Sequence, residues 1–152
     1  MIKTEQLIGG LVDYEEYQEE LDSWLGTPFR HYSRVNQLGT DCIGMVLGVF
    51  EELGLIHDVE LAYYSRDWWL HEKTNKTMES LLKQFAPKKI KNNYLPGDVM
   101  IYQMGRAKDA HCGLYTIRDT LIHSQYGVGV LESQLVEPKY LKRLNWAYRL
   151  KD

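Results

Sequence analysis

Apolar residues in the first third of the chain recur at helical spacing. Tyr14, Tyr17, Leu21, Trp24 and Leu25 fall on one stripe of a helix predicted over 14–25. Asp13 with Glu16 makes a capping box at its start, Gly26 suits a left-handed C-terminal cap, and Pro28 prevents the helix from resuming. A second helix begins near Cys42, with Thr40 or Asp41 as N-cap, and stops before Gly54. Cys42, Val46, Val49 and Leu53 share one face of it. Gly44 and Gly48, one turn apart, leave a flat strip for the close approach of another backbone. "TMESLLKQF" predicts a short third helix, with Glu79 following Thr77 near its start.

Between these helices "TPFRHYSRVNQLG" reads as an irregular polar and aromatic loop, and "DWWLHEKTNK" as partly exposed. The texture changes after "KKIKNNYLPGD". "DVMIYQM", "HCGLYTI", "TLIHSQYG", "VGVLESQLV" and "LNWAYRL" are short strand-like runs separated by Gly, Asp and charged turns. Helices first and strands afterwards predict an α+β fold with helices packed on a central antiparallel sheet.

Composition narrows the picture without redirecting it. At 152 residues, 44% hydrophobic and 26% charged, the chain is read as one soluble domain spanning 1–152. The net charge of −3 offers no reason to expect a nucleic-acid partner. No apolar run approaches membrane-spanning length, and the N-terminus turns acidic at once, so the expectation is synthesis in the cytoplasm without a signal peptide. Two cysteines are too few for a disulfide framework and are read as reduced thiols.

Cys42 changes the picture most. A free cysteine is often a small core residue. At the first turn of a helix, however, unpaired N–H groups and the helix dipole stabilise an anion and lower a thiol's pKa. A nucleophile needs a base, and His111 and His123 stand on consecutive predicted strands. A hairpin centred between residues 117 and 118 sets them close together on one sheet face, as a base and the group that orients it. Either histidine alone reads better as a structural residue. Cys112 follows His111 directly and so points to the opposite face. One site is not expected to use both, and Cys112 is assigned to the core. Zinc is a weak alternative for want of ligand spacing such as CxxC or HExxH. His57 and His71 read as solvated, Lys88, Lys89 and Lys91 as a charged loop, and Trp68 and Trp69 as a satellite hydrophobic cluster.

The stretches "WLGTPFRH", "GTDCIGMVLGVFEELG", "LPGDVMIYQM", "AHCGLYT", "LIHSQYGVGVLES" and "RLNWAYRL" together resemble the NlpC family of papain-like cysteine peptidases, which cut peptides in bacterial cell walls. They look closest to the branch encoded by bacteriophage tail modules and gene transfer agents. The resemblance implies that Cys42 is the nucleophile, His111 the general base and His123 the residue orienting that base. It implies the stem peptide of peptidoglycan as substrate, commonly cut at the γ-linkage after D-glutamate, other tail proteins as further partners, and neither metal nor organic cofactor. Where family members often carry a tyrosine this chain has Phe29. The Cys42 N–H and a donor from Tyr32 or His31 are then expected to hold the oxyanion, with Asp41 a further candidate for substrate contact. A papain-like acyltransferase or amidase, and a non-catalytic tail component that retains the fold, remain as alternatives.

Overall fold

A computed structural model describes residues 7–71 and 76–151. Helix α1 (Tyr14–Asp22) starts where expected, the Asp13 carboxylate accepting the Glu16 N–H at 2.7 Å. It ends three residues short of the predicted limit, and Gly26 adopts φ +86° beyond it. Tyr17 and Leu21 are fully buried, whereas Tyr14 is exposed. The Tyr17 hydroxyl donates to the Tyr115 carbonyl at 2.6 Å, fastening α1 to the sheet.

Two short strands, β1 (Arg34–Val35) and β2 (Gly39–Thr40), give the loop predicted as irregular a hairpin of its own. Asp41 caps α2 (Cys42–Glu52), which is apolar almost all round and buried accordingly. Its two glycines serve different neighbours. A Cβ at Gly44 would collide with the Ser33 carbonyl, the backbone approach expected of the strip. At Gly48 the neighbour is the Trp24 indole, so a side chain fills the second notch.

Helices α3 (Trp68–His71) and α4 (Lys76–Leu82) follow. Trp68 is buried in the main core, while His57 is exposed. The expectations for the side chains of Trp69 and His71, and for residues 72–75, lie outside the described residues.

The remaining strands are β3 (Lys88–Ile90), β4 (Val99–Met104), β5 (Ala107–Tyr115), β6 (Thr120–Gln125), β7 (Gly129–Gln134) and β8 (Leu144–Arg149), with α5 (Pro138–Arg143) before the last. They form one antiparallel sheet in the order β3-β8-β4-β5-β6-β7. All five strands read from the alternation are present, and the α+β expectation holds. The basic run is corrected: Lys88 and Lys89 belong to an edge strand paired with β8, and the Lys89 ammonium sits 4.1 Å over the Trp146 ring. Exposed lysines on an edge also discourage pairing with another chain.

Alternation sorts the sheet into two faces. Val99, Ile101, Cys112, Leu114 and Ile122 pack with Ile43, Val46, Leu47 and Phe50 in the larger core. Met100, Tyr102, Leu121 and Ala147 form a second core with Tyr140 from α5. Asp98, 1% exposed, closes the tight turn before β4. It accepts the Leu95 N–H at 2.9 Å and pairs with Arg149 through two 2.8 Å bonds.

Candidate active site

Cys42 is the first residue of α2, so its N–H has no intrahelical acceptor. Three ties fix that helix end. One Asp41 oxygen accepts the Gly44 N–H at 2.8 Å; the other takes the Tyr32 N–H at 2.8 Å and the Tyr64 hydroxyl at 2.7 Å. Ser124, on β6, donates to the Thr40 carbonyl at 2.8 Å, and Val130 N–H donates to the Thr27 carbonyl at 2.9 Å. The approach to Cys42 is therefore pinned to the strands that follow His123.

The β5–β6 ladder consists of Leu114↔Ile122 and Tyr115↔Leu121. The hairpin thus centres on Arg118, half a residue beyond the expected centre. That register, and not the expected one, puts the two rings on one face, because it sets Gly113 opposite His123; Nε2 of His111 lies 2.7 Å from Nδ1 of His123, with ring centroids 5.0 Å apart. Gly113 makes that contact feasible. A Cβ there would stand 2.8 Å from the Cβ of His123 and 2.9 Å from the Ile122 carbonyl.

Beyond the rings a polar chain continues. His123 Nε2 lies 2.9 Å from Ser133 Oγ, the Ser133 hydroxyl donates to the Tyr140 hydroxyl at 3.3 Å, and that in turn donates towards Gln125 Oε1 at 3.5 Å. His123 is 1% exposed, so these partners replace water around a ring deep in the protein.

Cys42 and His111 both line a cavity of about 470 Å³ that Phe29, Trp68, Tyr126 and Arg143 also help to enclose. The Cys42 thiol is held well below the ordinary thiol range. The Cys112 thiol, which hydrogen-bonds to its sulfur, is the largest cause, and His111 adds a hydrogen bond and its charge against the opposing effect of burial. Cys112 moves the other way. Its bond to Cys42 and its burial push it well above the ordinary range. Cys112 is buried in the larger core, on the opposite face of β5 from His111.

The secondary candidates separate. His31 lines the cavity, and its Nε2 is buried with no hydrogen-bond partner among the described residues. Tyr32 faces a neighbouring cavity, its hydroxyl donating to the Leu61 carbonyl at 3.0 Å. Asp41 lines the main cavity, yet three donors engage its carboxylate. Burial first, and then the Cys42 charge, raise its pKa. Phe29 meets Tyr126 edge-to-face at 5.4 Å.

Sequence reasoning missed Ser133, Tyr140 and Gly113. Gly113 carried a signal, a glycine inside a strand marking close approach. Ser133 and Tyr140 carried none, because Ser133 reaches His123 diagonally across the β6–β7 ladder and Tyr140 reaches it through the packing of α5.

Comparisons with known proteins bear on the family and the fold. The chain is 27% identical over 132 residues to the probable endopeptidase NlpC of Escherichia coli K12, covering 86% of this chain and 73% of that protein. Its fold is similar to an NlpC/P60 family protein from Bacillus cereus, with TM-score 0.63, 16% identity and 92% of this chain covered. A similar-to-lipoprotein NLP/P60 family structure from Staphylococcus aureus gives TM-score 0.61 at 16% identity, also covering 92% of this chain. The chain spans less than half of either of those structures, 41% and 43%. It spans 100% of the NlpC/p60 domain of the peptidoglycan hydrolase SagA, with TM-score 0.58 and 14% identity. The NlpC/P60 family profile itself matches residues 26–149, and the chain belongs to that family.

Proposed function

We propose that this protein is a cysteine peptidase that hydrolyses peptide bonds in the stem peptides of bacterial peptidoglycan. The observation that carries the reading is the convergence of a thiol of depressed pKa with two hydrogen-bonded imidazoles at the wall of one cavity. Cys42 is the nucleophile. His111 takes its proton and, as imidazolium, faces a thiolate. Attack forms a carbon–sulfur bond at the scissile carbonyl, whose oxygen becomes an oxyanion. The Cys42 N–H and His31 Nε2–H are the proposed donors to that oxyanion. Collapse breaks the carbon–nitrogen bond as His111 gives its proton to the leaving amine. His111 then deprotonates the water that hydrolyses the thioester.

The polar chain behind the rings suits this cycle. With His123 neutral and protonated on Nε2, its Nδ1 accepts from His111 and its Nε2–H donates to Ser133. The Ser133 and Tyr140 hydroxyls pass donation on towards Gln125. One direction of donation runs through all four links, which fixes the His123 tautomer and turns His111 towards Cys42.

The finer reading is cleavage of the γ-D-glutamyl bond to the following diamino acid, in the setting of a phage tail with other tail proteins as partners. Both rest on the resemblance of the motifs, and the neighbouring genes test the second. Mass spectrometry of purified murein, incubated with wild type and with Cys42→Ala, tests the first. New amino termini on the diamino acid are expected with wild type alone. Muropeptides left intact by wild type would overturn the reading, and transfer products formed with added amine acceptors would reassign the chemistry to acyl transfer.

A further inference from the structure

Arg34 pairs with Glu51, Arg118 with Asp22 and Glu132, and Arg149 with Asp98. Arg66 and Arg143, which line the cavity beside Cys42, pair with no carboxylate among the described residues. Their surroundings differ. Arg66 is followed directly by Asp67, a carboxylate on the same wall. Asp41, also on that wall, is occupied by three donors. Arg143 stands exposed at the end of α5, one turn after Tyr140, whose ring meets that of Tyr102 at 5.9 Å. Leu144, the next residue, is the ladder partner of Tyr102, and Tyr102 is that of His111. Arg143 therefore approaches the cavity from the side of β8 and β4. On the other side of His111 lies β6, which carries His123 and, through Ser124, the tie to the Cys42 helix. Tyr102 adds a second unmet donor. It is 3% exposed and lines the cavity, and its hydroxyl is buried with no hydrogen-bond partner among the described residues. Burial raises its pKa, so the phenol keeps its proton. A buried donor without an acceptor costs stability that a ligand oxygen would restore.

We infer that Arg143 and Tyr102 are specificity-determining residues that together receive a carboxylate on the leaving portion of the substrate. The inference rests on the reading of Cys42 as nucleophile and His111 as acid, and adds a substrate class to it. His111 protonates the amine that leaves, so the residue carrying that amine lies over His111, and its side chain extends towards Tyr102 and Arg143. A diamino acid whose side chain ends in a carboxylate, as diaminopimelate does, meets both donors there. A carboxylate accepts the guanidinium and the phenol hydroxyl at once. Lysine, which ends in an ammonium alone, brings only like charge to Arg143. With a net charge of −3 the chain offers an anion no general attraction, so a local cation has to supply it.

The test is isothermal titration calorimetry on the full-length Cys42→Ala protein, which holds a peptide without turning it over. Two peptides are compared, L-Ala-γ-D-Glu-meso-diaminopimelate and L-Ala-γ-D-Glu-L-Lys. Each has the α-carboxyl of its last residue amidated, so they differ only in the side-chain carboxylate. Hydrogen bonds to a charged group are worth about tenfold in an equilibrium constant, so the diaminopimelate peptide should bind about tenfold more tightly. Adding Arg143→Gln should remove most of that preference, Arg143→Lys should keep part of it, and Tyr102→Phe should lower it about threefold. Cooperative thermal unfolding checks each variant. Equal affinity for the two peptides, a preference untouched by Arg143→Gln, or failure of both peptides to bind would overturn the inference. A preference unchanged by Tyr102→Phe would remove the phenol from the site. Cleavage of the same peptides by wild type judges the peptidase reading separately. A preference that depends on Arg143 in a protein that cuts neither peptide removes the hydrolysis and keeps the site. Cleavage without any preference removes the site alone.

Discussion

His111 and His123 meet through a 2.7 Å nitrogen–nitrogen contact across a diagonal of the β5–β6 hairpin, and Gly113 is the residue over which His123 leans to make it. The pair is a property of the hairpin, and the hairpin is tied to Cys42 through Ser124 and Thr40. The first prediction follows from that contact. His123→Ala should lower kcat/KM on a muropeptide substrate by about 10²-fold with the fold intact, whereas His111→Ala should reduce it by a further factor of about ten. Steady-state kinetics decide it, and a His123→Ala enzyme within threefold of wild type would remove His123 from the mechanism.

Gly113→Ala tests the closeness of the two strands. The added methyl would press on the Ile122 carbonyl and the His123 Cβ, neither of which can swing away as a flexible side-chain end would. A loss of about 1–3 kcal/mol in unfolding free energy is expected from the overpacking. Activity measured well below the melting transition should fall further than stability explains, because the ring contact is displaced too.

His31 and Tyr32 are neighbours in sequence with different expected phenotypes. His31 brings an unpartnered Nε2 to the cavity, while the Tyr32 hydroxyl is spent on Leu61. His31→Ala should lower kcat by about 10²-fold with a small change in KM. Tyr32→Phe should stay within about twofold in kcat. Reversal of the two results would return the oxyanion role to Tyr32.

Arg118 bridges α1 and β7, pairing with Asp22 at 2.7 Å and Glu132 at 2.9 Å. Its hydrogen bonds hold both carboxyls below their ordinary values, while Arg118 itself is raised by the same bonds. Depressed carboxyl pKa values add stability above the ordinary range of about 4, and that stability is lost as pH falls through the folded values. Arg118→Gln should therefore flatten the acid side of a stability–pH curve and change little near pH 2. The groups are more than a third exposed at the arginine, so salt should weaken the effect. Urea unfolding at stepped pH measures it.

Asp98 offers the largest expected stability effect outside the cavity. Asp98→Ala leaves the Arg149 guanidinium unpaired and the Leu95 N–H without its acceptor. A cost of about 3–5 kcal/mol in unfolding free energy is expected, with the chemistry of the remaining folded fraction preserved. Chemical denaturation followed by tryptophan fluorescence tests this.

Much of this architecture was legible because the relevant signals are local. The Asp13 and Asp41 caps, the left-handed Gly26 and the alternation in β4 to β8 depend on neighbours a few residues away. The shared face of His111 and His123 is less local, since it depends on the hairpin centring on Arg118: a centre half a residue earlier would set the two rings on opposite faces. What escaped depends on distant packing. Lys88 and Lys89 look like solvated charge until β8 supplies a strand to pair with and Trp146 a ring to cover. The predicted first helix overran because Trp24 and Leu25 continue its apolar stripe, whereas the backbone turns after Asp22 to let Trp24 fill the notch at Gly48. Cys112 was placed correctly in the core, but its second neighbour, Cys42, comes from a helix whose approach no periodicity encodes.

The tie between Thr40 and Ser124 has a temporal consequence. A nascent chain that has emerged only as far as α2 already bears its sulfur but has neither imidazole to work with, and the helix end awaits the strand that anchors it. On the proposed reading, hydrolytic activity is therefore expected only once β5 and β6 have been synthesised, and chains truncated before them are expected to be inert.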